Sequence, residues 1–96
     1  MAEGYAMAPK ETISRKLPIC YMYREEPDNM YDSGWRFFAG CETDEYVNDP
    51  DNIGIYDLST IESIYPYLSY FLSLPAGTAL ERKNSDANFY LVHCTD

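Results

Sequence analysis

Hydrophobic and polar residues fall into short blocks along this chain, and each block predicts one element. Lys10-Glu11-Thr12-Ile13-Ser14-Arg15-Lys16, entered through Pro9, reads as a short helix, because a proline in the first turn lacks only an N–H that would have no helical partner. Pro18 stops it. Ile19-Cys20-Tyr21-Met22-Tyr23-Arg24 is apolar on both alternating faces and reads as an interior strand covered on each side. After the loop Glu25-Glu26-Pro27-Asp28-Asn29, the segment Gly34 to Gly40 alternates as a second strand. Trp35, Phe37 and Ala39 share the face expected in the core, and Arg36 and Phe38 share the other. The turn formers Asn48-Asp49-Pro50-Asp51-Asn52 then precede a short strand at Ile53-Gly54-Ile55-Tyr56.

The second half reads as helix followed by hairpin. Ser59-Thr60-Ile61-Glu62 has capping-box spacing, so a helix is expected over Thr60–Ile64, and Pro66 divides it from a second helical stretch over Pro66–Leu72. Thr78–Arg82 and Phe89–His93 read as two short strands flanking the polar turn Lys83 to Asn88. This order predicts an α+β domain, a small, mostly antiparallel sheet with short helices packed on one face. A doubly wound parallel sheet is disfavoured, because the strands lack crossover helices except after Tyr56.

Size and composition narrow the class. With 96 residues, 46% hydrophobic and 16% aromatic, the chain is one domain spanning residues 1–96 and too rich in core formers to stay disordered. Ten of its aromatics are tyrosines, which suit half-buried positions and binding surfaces alike. The start, Met1-Ala2-Glu3-Gly4-Tyr5-Ala6, lacks the basic and apolar regions of a secretory signal. Ile61–Leu74 is too short and too interrupted to span a bilayer. Cys20, Cys41 and Cys94 are odd in number and widely spaced, which argues against a disulfide framework or a zinc site, and a cytoplasmic location is expected.

Common catalytic signatures are missing. His93 and Cys94 are neighbours on an expected strand and point to opposite faces, so they do not form a nucleophile and base. An EF-hand loop starting at Asp49 would put Asp51 and Gly54 in suitable places but Ile53 and Thr60 where oxygen ligands are needed. A sheet of this size leaves little room for the paired carboxylates of a sugar-sized cleft. The expectation is a protein that is not an enzyme and needs no cofactor or metal.

Charge is concentrated in the middle of the chain. Of the net −9, residues 1–24 contribute +2 and residues 58–96 contribute −2, while residues 25–57 hold ten acids against Arg36 alone. A nucleic-acid ligand is not expected on this ground, since phosphate binding needs a basic face.

Tyr21-Met22-Tyr23-Arg24-Glu25-Glu26-Pro27-Asp28-Asn29, Asp32-Ser33-Gly34-Trp35-Arg36-Phe37-Phe38-Ala39-Gly40, Asp44-Glu45-Tyr46, Asn48-Asp49-Pro50-Asp51-Asn52 and Ile55-Tyr56-Asp57-Leu58 occur in that order. Together they resemble the bacterial family known as domain of unknown function 2185, also called the immunity protein 33 domain. The likeness runs from about residue 6 to residue 82 and includes Gly77 and Glu81-Arg82. It departs at Cys41, where the family pattern implies an acid. The resemblance implies a cytoplasmic immunity protein of a polymorphic-toxin system, one that binds and neutralises a toxin.

Such an inhibitor needs a complementary surface and no catalytic group. The acidic middle segment supplies one, with Glu42, Asp44, Glu45, Tyr46, Asp49 and Asp51 as the expected partner-binding residues and a basic protein toxin as the expected partner. Tyr31 lies in the same span, and Tyr65, Tyr67 and Tyr70 form the next candidate surface. Arg36 is expected to pair with a carboxylate of the acidic loop and hold it in place. The alternative is a structural or interaction domain with no toxin partner, whose acidity serves solubility.

Overall fold

The structure, a computed structural model, describes residues 4–40 and 42–92. The expectations placed on Cys41, His93 and Cys94 lie outside the described residues. In chain order the elements are β1 (Tyr5–Pro9), α1 (Lys10–Ser14), β2 (Tyr21–Arg24), β3 (Asp32–Phe38), α2 (Asp44–Val47), a 3-10 turn at Pro50–Asn52, β4 (Ile53–Asp57), α3 (Leu58–Ile64), a 3-10 helix at Pro66–Tyr70, β5 (Ala79–Glu81) and β6 (Tyr90–Leu91). The strands form one six-stranded sheet in the order β4-β1-β3-β2-β5-β6. Among the described residues only β1 and β3 run parallel; every other pair is antiparallel, as expected for this α+β class.

One face of the sheet carries the core. Ala6 and Ala8 from β1, Met22 from β2, Trp35 and Phe37 from β3 and Leu80 from β5 pack against Leu58, Ile61, Tyr65 and Leu68 of the helical layer, with Ile19 filling the strand entry. Trp35 and Phe37 point inward as their alternation predicts, with stacked rings 5.9 Å apart. The Trp35 indole N–H donates to the Leu72 carbonyl at 3.1 Å, and Arg24 lies over its ring. Among the described residues no buried side-chain nitrogen or oxygen lacks a hydrogen-bond partner, as a small core requires.

The strand Tyr5–Pro9 escapes the sequence reading, although it sits inside the sheet between β3 and β4. Its sequence, Tyr-Ala-Met-Ala-Pro, is poor in β-branched residues, so pairing on both edges rather than propensity makes it a strand. Opposite it, β3 carries an irregularity: Tyr5 faces Asp32 and Met7 faces Arg36, so two steps on one strand match four on the other. Gly34 lies within those extra residues at φ +86°, and a Cβ there would collide with the Glu25 carbonyl.

Two local expectations are corrected. The capping box over Ser59–Glu62 does not form, because α3 begins at Leu58 with Asp57 at the cap position and no side-chain cap. The Leu58 N–H instead donates to the Gly4 carbonyl at 2.9 Å, so tertiary pairing sets the helix start. The break at Pro66 is as expected, with α3 ending at Ile64 and the 3-10 helix starting at Pro66. The strand at 19–24 is interior, but only its Met22 face is in the core; Tyr21 and Tyr23 are half-buried on the other.

Candidate partner-binding surface

The acidic segment after β3 is held by its own side chains. Glu42, half-buried, takes the Ala39 N–H at 2.7 Å and the Thr12 hydroxyl at 2.9 Å on Oε2, and the Gly40 N–H at 2.8 Å on Oε1. Its carboxylate therefore pins the exit of β3 to α1. Thr43 caps α2 by accepting the Tyr46 N–H, and Asp49 caps the 3-10 turn by accepting the Asp51 N–H at 3.0 Å. Asn52 donates to the Tyr46 carbonyl, closing the segment on itself.

The expected site residues thus separate by environment. Asp44, Glu45, Asp49 and Asp51 are exposed, whereas Glu42 and Tyr46 are half-buried. The Tyr46 hydroxyl accepts the Glu11 N–H at 3.3 Å and lines, with Glu11, Thr12, Arg15 and Glu42, a cleft of about 220 Å³ between α1 and α2. The ion pairs among the described residues are Arg15–Glu11, Arg36–Glu25 and Arg36–Asp32, so none involves Glu42, Asp44, Glu45, Asp49 or Asp51.

Arg36 does not reach this segment. It is buried, and it holds Asp32 through two N–H donors and Glu25 through Nε at 2.7 Å. Asp32 also accepts the Gly34 and Asp28 N–H groups. The Arg36 hydrogen bonds hold the Asp32 carboxyl well below the usual carboxylate range despite burial, and Asp32 in turn raises the Arg36 pKa. The loop that Arg36 organises is therefore 25–31, at whose end Met30 and Tyr31 are exposed.

The tyrosine-rich helical pair is mostly structural. Burial pushes the Tyr65 hydroxyl up to about 12, and it donates to the Leu17 carbonyl at 2.6 Å. Tyr67 accepts from the Ile19 N–H and from the buried Arg82, whose guanidinium also lies over the Tyr67 and Phe89 rings. Only Tyr70 of this group is exposed.

The sheet face opposite the core holds what the sequence reading missed. Cross-strand register places Phe38, Tyr21, Glu81 and Tyr90 in one row, and Ile55, Met7, Arg36, Tyr23 and Ala79 in the next. Tyr23 and Phe38 stack at 6.0 Å, and Tyr21 leans on both. The available signal was the spacing Tyr21-x-Tyr23 around a buried Met22, since tyrosine suits a wet sheet face better than a covered one.

Among the described residues no three His, Cys, Asp or Glu side chains converge as metal ligands, and no helix is long and apolar enough to cross a membrane. The surface offers aromatic area and uncompensated negative charge, which are means of recognition. Comparison with protein families matches residues 6–93 to the Immunity protein Imm33 domain. Neither the curated proteins nor the solved structures yield a match.

Proposed function

This chain is a member of the Immunity protein Imm33 domain family, and we propose on that footing that it neutralises a cognate toxin by stoichiometric binding. The reading makes it a cytoplasmic, non-enzymatic inhibitor that needs no cofactor. Family membership carries the class of function. Charge supports the nature of the partner, because Asp44, Glu45, Asp49 and Asp51 project from a well-braced segment, outside every ion pair among the described residues. Such a field accelerates encounter with a basic protein. Together with Glu42 and Tyr46, these residues form the proposed toxin-binding surface, in which Glu42 braces rather than touches.

The experiment is capture of partners from the native cell with the tagged full-length chain, followed by co-expression. A basic protein recovered in a one-to-one complex, toxic alone and harmless with this chain, is the expected result. A captured partner whose toxicity is unchanged by co-expression would overturn the reading.

A further inference from the structure

The sheet face opposite the core adjoins the acidic segment, and the two meet in a groove. Tyr21, Tyr23 and Phe38 form one side of it, and Gly40, Glu42, Asp44, Val47 and Glu81 complete a lining of about 370 Å³. Three carboxylates line this space, and among the described residues no lysine, arginine or histidine does. None of the three is in an ion pair among the described residues. The nearby Arg36 on the same face adds no net positive charge, because it is already held by both Asp32 and Glu25.

We propose that this groove seats a cationic side chain, an arginine or lysine on a basic segment of the protein partner, between the Tyr21, Tyr23 and Phe38 rings and the Asp44 and Glu81 carboxylates. The proposal deepens the toxin-binding reading and rests on it for the partner's class. Aromatic ring faces attract cations through their quadrupole, and arginine combines this stacking with a planar fork of donors for carboxylates. Asp44 enters from the first turn of α2 and Glu81 from β5, so the two acids approach the rings from different elements. On the same face, past the buried and ion-paired Arg36, lie Met7 and Ile55, the latter 64% exposed, which give the flanking partner residues an apolar surface to cover. Docking thus shifts from the tip of the acidic segment to the face beside it, with Asp49 and Asp51 serving attraction at a distance.

The test is an NMR titration of the full chain with a capped Gly-Arg-Gly peptide and with its citrulline counterpart, which keeps the shape and removes the charge. Saturable shifts at Tyr21, Tyr23 and Phe38 are expected, weakened about fivefold or more by citrulline and likewise by the pair Asp44→Asn and Glu81→Gln. Both acids are exposed, so these variants keep the fold, which the Trp35 indole resonance reports. Tyr23→Leu should weaken binding as well. Equal affinity for the citrulline peptide, no saturable binding, or shifts centred on Asp49 and Asp51 would overturn the proposal. So would a dimer dispersed by Tyr23→Leu, which would give the face to a second copy of the chain. A captured toxin whose affinity ignores all three substitutions would sink the groove while leaving the immunity reading intact. Groove binding of the arginine peptide without any toxin would support the groove and count only against the immunity reading.

Discussion

Arg36 grips Asp32 with both terminal nitrogens, Nη1 to Oδ1 at 3.0 Å and Nη2 to Oδ2 at 2.9 Å, although the two residues stand four apart in one strand. In a regular strand they would be separated by about 13 Å, at roughly 3.3 Å per residue. The irregularity around Gly34 sets two steps of β1 against those four, and the ion pair closes across the distorted stretch.

Breaking that pair should be costly. Arg36→Met leaves a buried carboxylate beside only N–H donors and should cost about 3–5 kcal/mol in urea denaturation. Folding lowers the Asp32 pKa, so its contribution is complete above its ordinary value of 3.8 and is lost as pH falls below it toward the depressed one. Asp32→Asn should remove this part of the acid dependence, and an unchanged acid limb would show that Asp32 is not depressed.

Gly34 and Gly77 both have positive φ, but only Gly34 is crowded. Gly77→Ala should cost about 1–2 kcal/mol, the backbone strain alone. Gly34→Ala must also displace the Glu25 carbonyl and should cost roughly 3 kcal/mol or more. Equal losses in the two variants would contradict the tight crossing of β3 beneath residue 25.

Trp35→Ala removes a fully buried ring and should cost about 3–5 kcal/mol, a large share of the ~5–15 kcal/mol available to a domain of this kind. Trp35→Phe should cost less and separate the volume from the Leu72 hydrogen bond. A loss below about 1 kcal/mol for Trp35→Ala would contradict its core position.

Tyr65 should give a signature at high pH. Its hydroxyl ionises at about 12 in the fold against an ordinary 10.0, so its stabilising effect is complete below pH 10 and declines as pH rises through 12. Tyr65→Phe loses the bond to Leu17, about 1 kcal/mol at neutral pH. The deficit of the variant should shrink between pH 10 and 12, which paired melting curves will report.

For the proposed toxin complex, reversing Asp44, Glu45 and Asp49 to Lys should slow association by about tenfold or more. The wild-type rate should fall with salt, since charges are screened beyond ~8 Å at physiological ionic strength. Asp49 also caps the 3-10 turn, so about 1 kcal/mol of stability should be lost alongside. An association rate indifferent to salt and to the reversal would remove the acidic segment from the interface.

Much of the fold was local and therefore legible. Alternation alone placed Trp35 and Phe37 on the core face and Arg36 on the opposite one, and Pro66 divided the helical pair, because period-two side-chain direction and the missing proline N–H need no knowledge of distant residues. The acidic charge and the exposed Asp44, Glu45, Asp49 and Asp51 belong to the same class. Tertiary structure alone decided the rest. Tyr5–Pro9 is a strand because β3 and β4 pair with it, α3 starts at Leu58 because Gly4 receives its N–H, and Arg36 binds Asp32 because a distortion in β3 shortens the gap between them. The groove of Tyr21, Tyr23, Phe38, Asp44 and Glu81 draws on four separate elements. No single window of sequence contains it, because the pairing of β2 with β3 and β5 brings its rings and Glu81 onto one face, which Asp44 joins from α2.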